Sequence, residues 1–102
     1  MASTLNQELT GMLYSQLGQL KTLAPDALRR LPQSETKEII VQGKKIRLTV
    51  WRENLTEDRV LIIVQLYRYI VLGMGRMFVD GFVLHSDGRI TTAEDRLIWD
   101  YT

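Results

Sequence analysis

The chain has 102 residues, of which 45% are hydrophobic and 25% charged, values that are ordinary for one globular domain and exclude disorder over most of its length. Thirteen Lys and Arg against twelve Asp and Glu leave a net charge of +1. This excludes a protein that binds polyanions through its overall charge. The lack of cysteine and the single histidine exclude a disulfide framework, a thiolate or multi-histidine metal site and a cysteine nucleophile.

The first third of the chain predicts helices. Leucines and a methionine recur at steps of three and four, the spacing of one apolar stripe, which predicts a helix over residues 3–24. Pro25 breaks this helix because proline lacks a backbone N–H and clashes with the preceding turn. We expect a second, short helix over residues 26–31, which Pro32 ends.

A β-hairpin is predicted around Gly43. From residue 35 the apolar period changes to two, and Gly43-Lys44 has the glycine-first pattern of a two-residue type II′ turn. This turn places Val41 opposite Ile46. Four aliphatic residues then share one sheet face, which we expect to pack on the N-terminal helix: Ile39, Val41, Ile46 and Leu48. The other face carries Ile40, Arg47 and Trp51.

Residues 59–72 carry competing signals. Thr56 followed by two acidic residues is typical of a helix start, and Gly73 is typical of a helix end. Against a helix, six of the thirteen residues 60–72 are Val or Ile and two are Tyr, which favours a strand. We therefore predict one long strand that pairs with residues 76–86.

A turn at Met74-Gly75 sets the predicted register of this second hairpin. It places Tyr67 opposite Phe82 and Tyr69 opposite Asp80. Five aromatic residues then lie on the sheet face opposite the N-terminal helix: Trp51, Tyr67, Tyr69, Phe78 and Phe82.

The end of the chain predicts a short helix. Asp87-Gly88 turns the chain, and Thr91 with Glu94 has the spacing of a capping box, in which each side chain bonds the other residue's backbone N–H. We expect the helix over residues 92–101. The complete prediction is a single two-layer α+β domain over residues 1–102, with an N-terminal helix on a four-stranded antiparallel meander sheet and a short C-terminal helix (α-β-β-β-β-α).

Targeting signals are weak. The first eleven residues contain neither a basic segment nor an apolar one, so a signal peptide is not expected. The nearly apolar stretch 60–75 is too short to span a bilayer and includes Gln65 and Arg68. We expect a cytoplasmic protein with no membrane contact.

Two polar residues are candidates for ligand binding. Arg68 interrupts an aliphatic face and has the chemistry of a carboxylate or phosphate anchor, although a structural ion pair is the simpler explanation. Histidine is a common general base, but His85 has no orienting carboxylate and no nucleophile beside it in the predicted sheet. We expect no catalytic, cofactor-binding or metal site, and the segment 87–94 contains only the second half of a calcium-loop pattern.

A nucleic-acid interface is a further alternative. It would use Lys44, Lys45, Arg47 and Arg52 beside Trp51, Tyr67 and Tyr69, because bases stack on aromatic rings and phosphates follow basic grooves. The isoelectric point of about 8.1 is below the range typical of such domains, and no RNA- or DNA-binding motif is present, so the sequence does not favour this class.

The leading functional hypothesis is a small non-catalytic association module. So many large apolar groups on one sheet face are unusual for a monomer, and Trp and Tyr are enriched at binding hot spots. A homodimer that buries Trp51, Tyr67, Tyr69, Phe78 and Phe82 is the simplest partner hypothesis. The alternative is a domain that binds a small apolar or anionic ligand between helix and sheet, through Arg68 and His85, with at most weak enzymatic activity.

Overall fold

A computed structural model describes residues 4–56, 58–72 and 74–102. The predicted helix start at residue 3 and the alternative helix end at Gly73 lie outside these residues. The helices are α1 (Thr4–Lys21), α2 (Pro25–Arg29) and α3 (Asp95–Ile98), and a 3₁₀ turn (Trp99–Tyr101) continues α3. The strands are β1 (Ser34–Val41), β2 (Lys44–Asn54), β3 (Val60–Val71), β4 (Met74–Leu84) and β5 (Ile90–Thr92).

The strands form one antiparallel sheet in chain order, β1-β2-β3-β4-β5. The α+β two-layer fold is therefore confirmed, with five strands in place of the predicted four. Helix α1 buries four leucines at steps of four against one face, which we call the inner face: Leu5, Leu9, Leu13 and Leu17. We call the opposite face of the sheet the outer face.

The first hairpin turns one residue earlier than predicted. Gln42 and Gly43 form the turn with φ of 50° and 75°, and both angles are positive, as a type I′ turn requires. The predicted type II′ turn and its register are therefore wrong: Ile39 pairs with Ile46. The register error is two residues, and an even shift leaves every side chain on its face. The predicted inner-face position of Ile39, Val41, Ile46 and Leu48 is confirmed.

The strand predicted over residues 59–72 is confirmed, and so is its pairing with the segment that follows. Its register is wrong by an odd number of residues, because Tyr67 lies opposite Met77 and not opposite Phe82. An odd shift exchanges the two faces of β4. Phe78 and Phe82 consequently lie on the inner face beneath α1, and Phe82 is completely buried. Their predicted position on the outer face is wrong.

The predicted capping box is also wrong. Thr91 belongs to β5, where it pairs with Val83, and its hydroxyl lies 2.7 Å from Nε2 of His85. Glu94 precedes α3 without a side-chain cap, and its carboxylate accepts from Nε of Arg96 at 2.6 Å. Residues 90–92 pair with β4. The helix predicted over residues 92–101 therefore begins later, and α3 is short.

The C-terminal segment lies on the outer face at one end of the sheet. We call residues 93–102, which comprise α3 and the 3₁₀ turn, the ridge. The ridge covers a second core built on Leu61, Ile63 and Val83, to which it adds Ala93, Leu97, Ile98 and Tyr101. This end of the domain therefore has three layers, while no described residue forms a layer above the other end of the outer face.

Candidate functional site

The uncovered end of the outer face contains two rows of cross-strand neighbours, which we call the open half. In one row Arg47 pairs with Tyr67, and Tyr67 pairs with Met77. In the next row Ile40 pairs with Lys45, and Lys45 lines one surface cavity together with Tyr67 and Tyr69. The members of the open half are Ile40, Lys45, Arg47, Tyr67, Tyr69 and Met77. Ile40 is 64% exposed and Tyr69 57%.

The open half is basic. Lys45 and Arg47 are both exposed, and the acidic residue in these rows is Glu38, opposite Arg47. Within the described residues the one ion pair joins Arg96 to Glu94, so the two cations of the open half form none. Strand geometry explains their placement, because residues two apart in β2 point to the same face.

The β3–β4 hairpin lies at the same end of the sheet and carries further exposed apolar side chains. Ile70, Leu72 and Met74 are all exposed, and Leu72 is 91% exposed at the turn, where it adopts a φ of 53°. Together with the open half, this hairpin concentrates most of the exposed large apolar side chains at one end of the molecule.

The predicted aromatic cluster is divided by the structure. Tyr67 and Tyr69 belong to the open half, whereas Trp51 is half-buried at the border of the ridge. Its ring packs on Tyr101 with 5.6 Å between ring centroids and an interplanar angle of 53°. Phe78 and Phe82 do not belong to this surface, since both pack beneath α1.

The ridge is attached to the sheet at Tyr101. The Tyr101 hydroxyl donates to Oε2 of Glu53 at 2.8 Å. Burial, and next the hydrogen bond to Glu53, raise the pKa of Tyr101 to about 12, because the phenolate would be poorly solvated beside a carboxylate. Tyr101 is thus a neutral hydrogen-bond donor across the physiological range.

Arg68 and His85, the two candidate ligand-binding residues, do not form one site. Arg68 lies on the inner face, where Nη1 donates to Oδ1 of Asn6 at 2.7 Å. It pairs with Arg76 near the start of β4, while His85 follows the last residue of β4. Nine residues of strand separate these positions, roughly 30 Å at about 3.3 Å per residue.

His85 lines a cavity of about 490 Å³ on the outer face, at the end of the sheet that also carries the ridge. The β2–β3 loop contributes Arg59 and the ridge contributes Arg96. The remaining lining residues are threonines, apolar residues, an amide and one carboxylate: Asn54, Leu55, Thr56, Val83, Thr91, Thr92, Glu94 and Leu97. The sequence does not single out either arginine, because the lining residues come from separate parts of the chain and share no local spacing.

Arg29 holds one wall of this cavity from the opposite side of the sheet. Its Nη1 donates to the Asp58 carbonyl at 2.7 Å, and its Nη2 donates to the His85 carbonyl at 3.2 Å. One guanidinium thus joins α2 to the β2–β3 loop and to the end of β4. Arg29 acts on the cavity through backbone carbonyls and does not line it.

The space between helix and sheet is small. A cavity of about 140 Å³ lies beside the C-terminal part of α1, lined by Leu20, Leu31, Leu48 and Val50 among others. Sites for small organic ligands usually measure about 300–1,000 Å³. Neither Arg68 nor His85 is among the residues that line this cavity, so this cavity is not the ligand site predicted at those two residues.

Metal and membrane features complete the description. Among residues 4–56, 58–72 and 74–102, no three His, Asp or Glu side chains come together as a metal site would require. No helix in the described part of the chain combines the length and the apolar character needed to cross a bilayer. Comparison with family models, curated proteins and solved structures finds no match to this chain.

Proposed function

We propose that this protein is a non-catalytic association module that forms a homodimer through the open half of its outer face. The observation that carries this proposal is the concentration of exposed Tyr, Ile and Met side chains beside two unpaired cations on a sheet. Trp51 lies at the border of the contact, and Phe78 and Phe82 take no part in it. The cytoplasm is the proposed compartment on the sequence argument alone.

The energetics of such a contact are favourable. Complete burial of one large apolar side chain contributes roughly 1.5–3 kcal/mol. Of the open half, Ile40 and Tyr69 are 64% and 57% exposed in the single chain and Met77 is 37% exposed, so a large part of this contribution is still available. Several such side chains together offset the estimated cost of about 4 kcal/mol or more for lost rigid-body freedom.

A nucleic-acid partner receives less support from the same surface. Arg52 lies outside the open half, because it lies on the inner-face side and its Nε donates to the Leu31 carbonyl at 2.6 Å. Lys44 is the first residue of β2, opposite Val41 on the inner face. Two cations beside one acidic residue provide few phosphate contacts, whereas nucleic-acid affinity depends on many.

Analytical ultracentrifugation tests the proposal. We expect the wild-type chain to form a dimer at high micromolar concentration, and we expect Tyr69→Glu to be a folded monomer. Tyr14→Glu is the matched control, since Tyr14 on α1 is also 57% exposed but lies far from the open half. A wild-type chain that stays monomeric at high micromolar concentration would overturn the proposal, and so would a dimer that Tyr69→Glu leaves intact.

A second candidate function is the binding of a small anion in the His85 cavity. The cavity lining includes two guanidinium groups and three threonine hydroxyls against one carboxylate, and that carboxylate is paired with Arg96. Arg59 forms its two side-chain hydrogen bonds with Thr56, both at 3.3 Å, and faces no described carboxylate in an ion pair. Donors of this kind suit phosphate or carboxylate groups.

Titration with inorganic phosphate, followed by the NMR signals of the His85 ring, tests this candidate. We expect a saturable shift that Arg59→Gln abolishes. Arg89→Gln is the control, because Arg89 is exposed in the following turn and does not line the cavity. Equal responses of both variants, or an absent response in the wild-type chain, would exclude anion binding at this place.

A further inference from the structure

We infer that the ridge of each protomer docks onto the open half of a second copy, so that the homodimer contains the same contact twice. This inference rests on the proposed homodimer and adds the surface that the open half contacts. The evidence consists of the shape of the outer face, the charges on its two ends and the apolar side chains that remain exposed on the ridge.

The shape of the outer face is stepped. The ridge rises above one end of the face, where it covers Leu61, Ile63 and Val83, and the open half lies lower at the other end. A two-fold axis that lies in the contact plane and runs across the strands exchanges these two ends. The ridge of one copy then occupies the space above the open half of the other, which brings the two faces together without a gap at either end.

The ridge surface around Trp99 and the open half carry opposite charges. Asp95 and Asp100 are exposed on the ridge, and Asp80 on β4 lines a cavity together with Asp95 and Trp99. This cavity is lined by two carboxylates and by no cation. The open half carries Lys45 and Arg47 without ion pairs in the described part of the chain. Docking of ridge on open half therefore places unpaired acidic groups near unpaired basic groups.

The apolar groups match as well. Trp99 is 76% exposed on the ridge, and tryptophan is the residue most enriched at binding hot spots. The open half offers an apolar surface to such a ring in Ile40, Tyr69 and Met77, all exposed. In the alternative arrangement, with two open halves in contact, Lys45 and Arg47 would face the same cations of the partner and Trp99 would stay in water.

Reciprocal contacts close the assembly. Both surfaces lie on one face of the chain, and the two-fold axis pairs both at once, so neither the ridge nor the open half is left to bind a third copy. The dimer predicted here is therefore a closed one, and higher assemblies are not expected.

Two charge-reversal variants test the inference in the full chain. The first is Lys45→Glu with Arg47→Glu, which makes both ends acidic; the second is Asp95→Lys with Asp100→Lys, which makes both ends basic. We expect each variant alone to dimerise at least about 100-fold more weakly than wild type, because like charges then meet in the contact. We expect an equimolar mixture to form a heterodimer, since an acidic end then meets a basic end at both contacts.

The outcomes separate this inference from the proposed function. A wild-type dimer that the ridge variant leaves at full strength would overturn the ridge contact and keep the proposed dimer. A monomeric wild-type chain would overturn both. Failure of the two folded variants to pair in the mixture would also overturn the reciprocal contact. Asp26→Lys with Glu35→Lys is the matched control, since both acids are exposed away from the outer face, and it should dimerise like wild type.

Discussion

Trp51 and Gln65 are joined by a side-chain hydrogen bond, in which the indole Nε1 donates to Oε1 of Gln65 at 2.5 Å. The amide of Gln65 donates in turn to the backbone carbonyl of Tyr101. Two polar side chains on the outer face thus connect β2, β3 and the ridge. The ridge is short and has few residues of its own, so these bonds fix where it lies on the sheet.

The first prediction concerns this connection. Trp51→Phe keeps an aromatic ring against Tyr101 but removes the donor, which leaves the Gln65 oxygen half-buried without it. We expect the free energy of unfolding to fall by about 1–3 kcal/mol. The measurement is urea denaturation in the Tyr69→Glu background, where dimerisation does not contribute. Trp99→Phe should change it little, because Trp99 is 76% exposed, and an equal loss in both variants would contradict the connection.

The second prediction concerns pH. The pKa of Tyr101 is raised to about 12 in the folded chain, whereas an unfolded tyrosine titrates near 10. The folded state thus holds this proton more tightly, and its stabilising contribution is complete below about pH 10 and disappears as the pH rises towards about 12. Absorbance titration of the phenolates should show a late component that Tyr101→Phe removes. A late component that persists in Tyr101→Phe would assign the shift elsewhere.

The stability difference between these two chains gives an independent check of the same assignment. Contributions from the rest of the chain are common to both chains and cancel in the difference. The wild-type advantage over Tyr101→Phe should therefore shrink as the pH rises from about 10 to about 12. A constant difference would show that the Tyr101 proton is not linked to folding.

The two hairpins show what the sequence encodes. In the first, one face is aliphatic and the other polar, so the burial of Ile39 and Ile46 follows from alternation alone and survives a misplaced turn. In β4 the two faces near the ridge are both apolar, with Phe82 on one and Val83 on the other. The alternation of Phe82, Val83 and Leu84 then does not distinguish the two faces, and the predicted register depends on the turn residues. The positive φ of Gln42 and Leu72, neither of them glycine, is not evident from residue type.

The candidate surfaces also differ in how far the sequence predicts them. Tyr67 and Tyr69 follow from strand parity within β3, which is independent of the register with β4. The ridge contact and the His85 cavity depend on where the last ten residues lie, and β5 determines this by pairing residues 90–92 with β4. A capping-box pattern at Thr91 and Glu94 cannot compete with three residues of sheet pairing and a side-chain bond from Thr91 to His85.

The third prediction concerns Arg29 of α2, which donates hydrogen bonds to the carbonyls of Asp58 and His85. Arg29→Leu removes two charge-assisted bonds to backbone carbonyls of separate loops. We expect a loss of about 1.5–3 kcal/mol in unfolding free energy and faster amide exchange at residues 58–59 and 85–89. The neighbouring Arg30 is exposed, and Arg30→Leu should change stability by less than about 0.5 kcal/mol. Unchanged amide exchange in Arg29→Leu would show that the two loops keep their positions without the Arg29 hydrogen bonds.

The last prediction compares two glycines. A Cβ at Gly81 would lie inside van der Waals contact with the carbonyl oxygen of Ile62 and with the Ile63 side chain, because β3 and β4 approach closely beneath the ridge. The backbone oxygen cannot move without disturbing the sheet, so we expect Gly81→Ala to destabilise the fold by about 1–3 kcal/mol.

At Gly11 on α1 a Cβ meets nothing within 4 Å, and Gly11→Ala should stabilise by about 0.5–1 kcal/mol through helix propensity. Thermal unfolding of both variants should give shifts of opposite sign. Shifts of the same sign would mean that the register of β3 with β4, on which the division between ridge and open half depends, is not the one described.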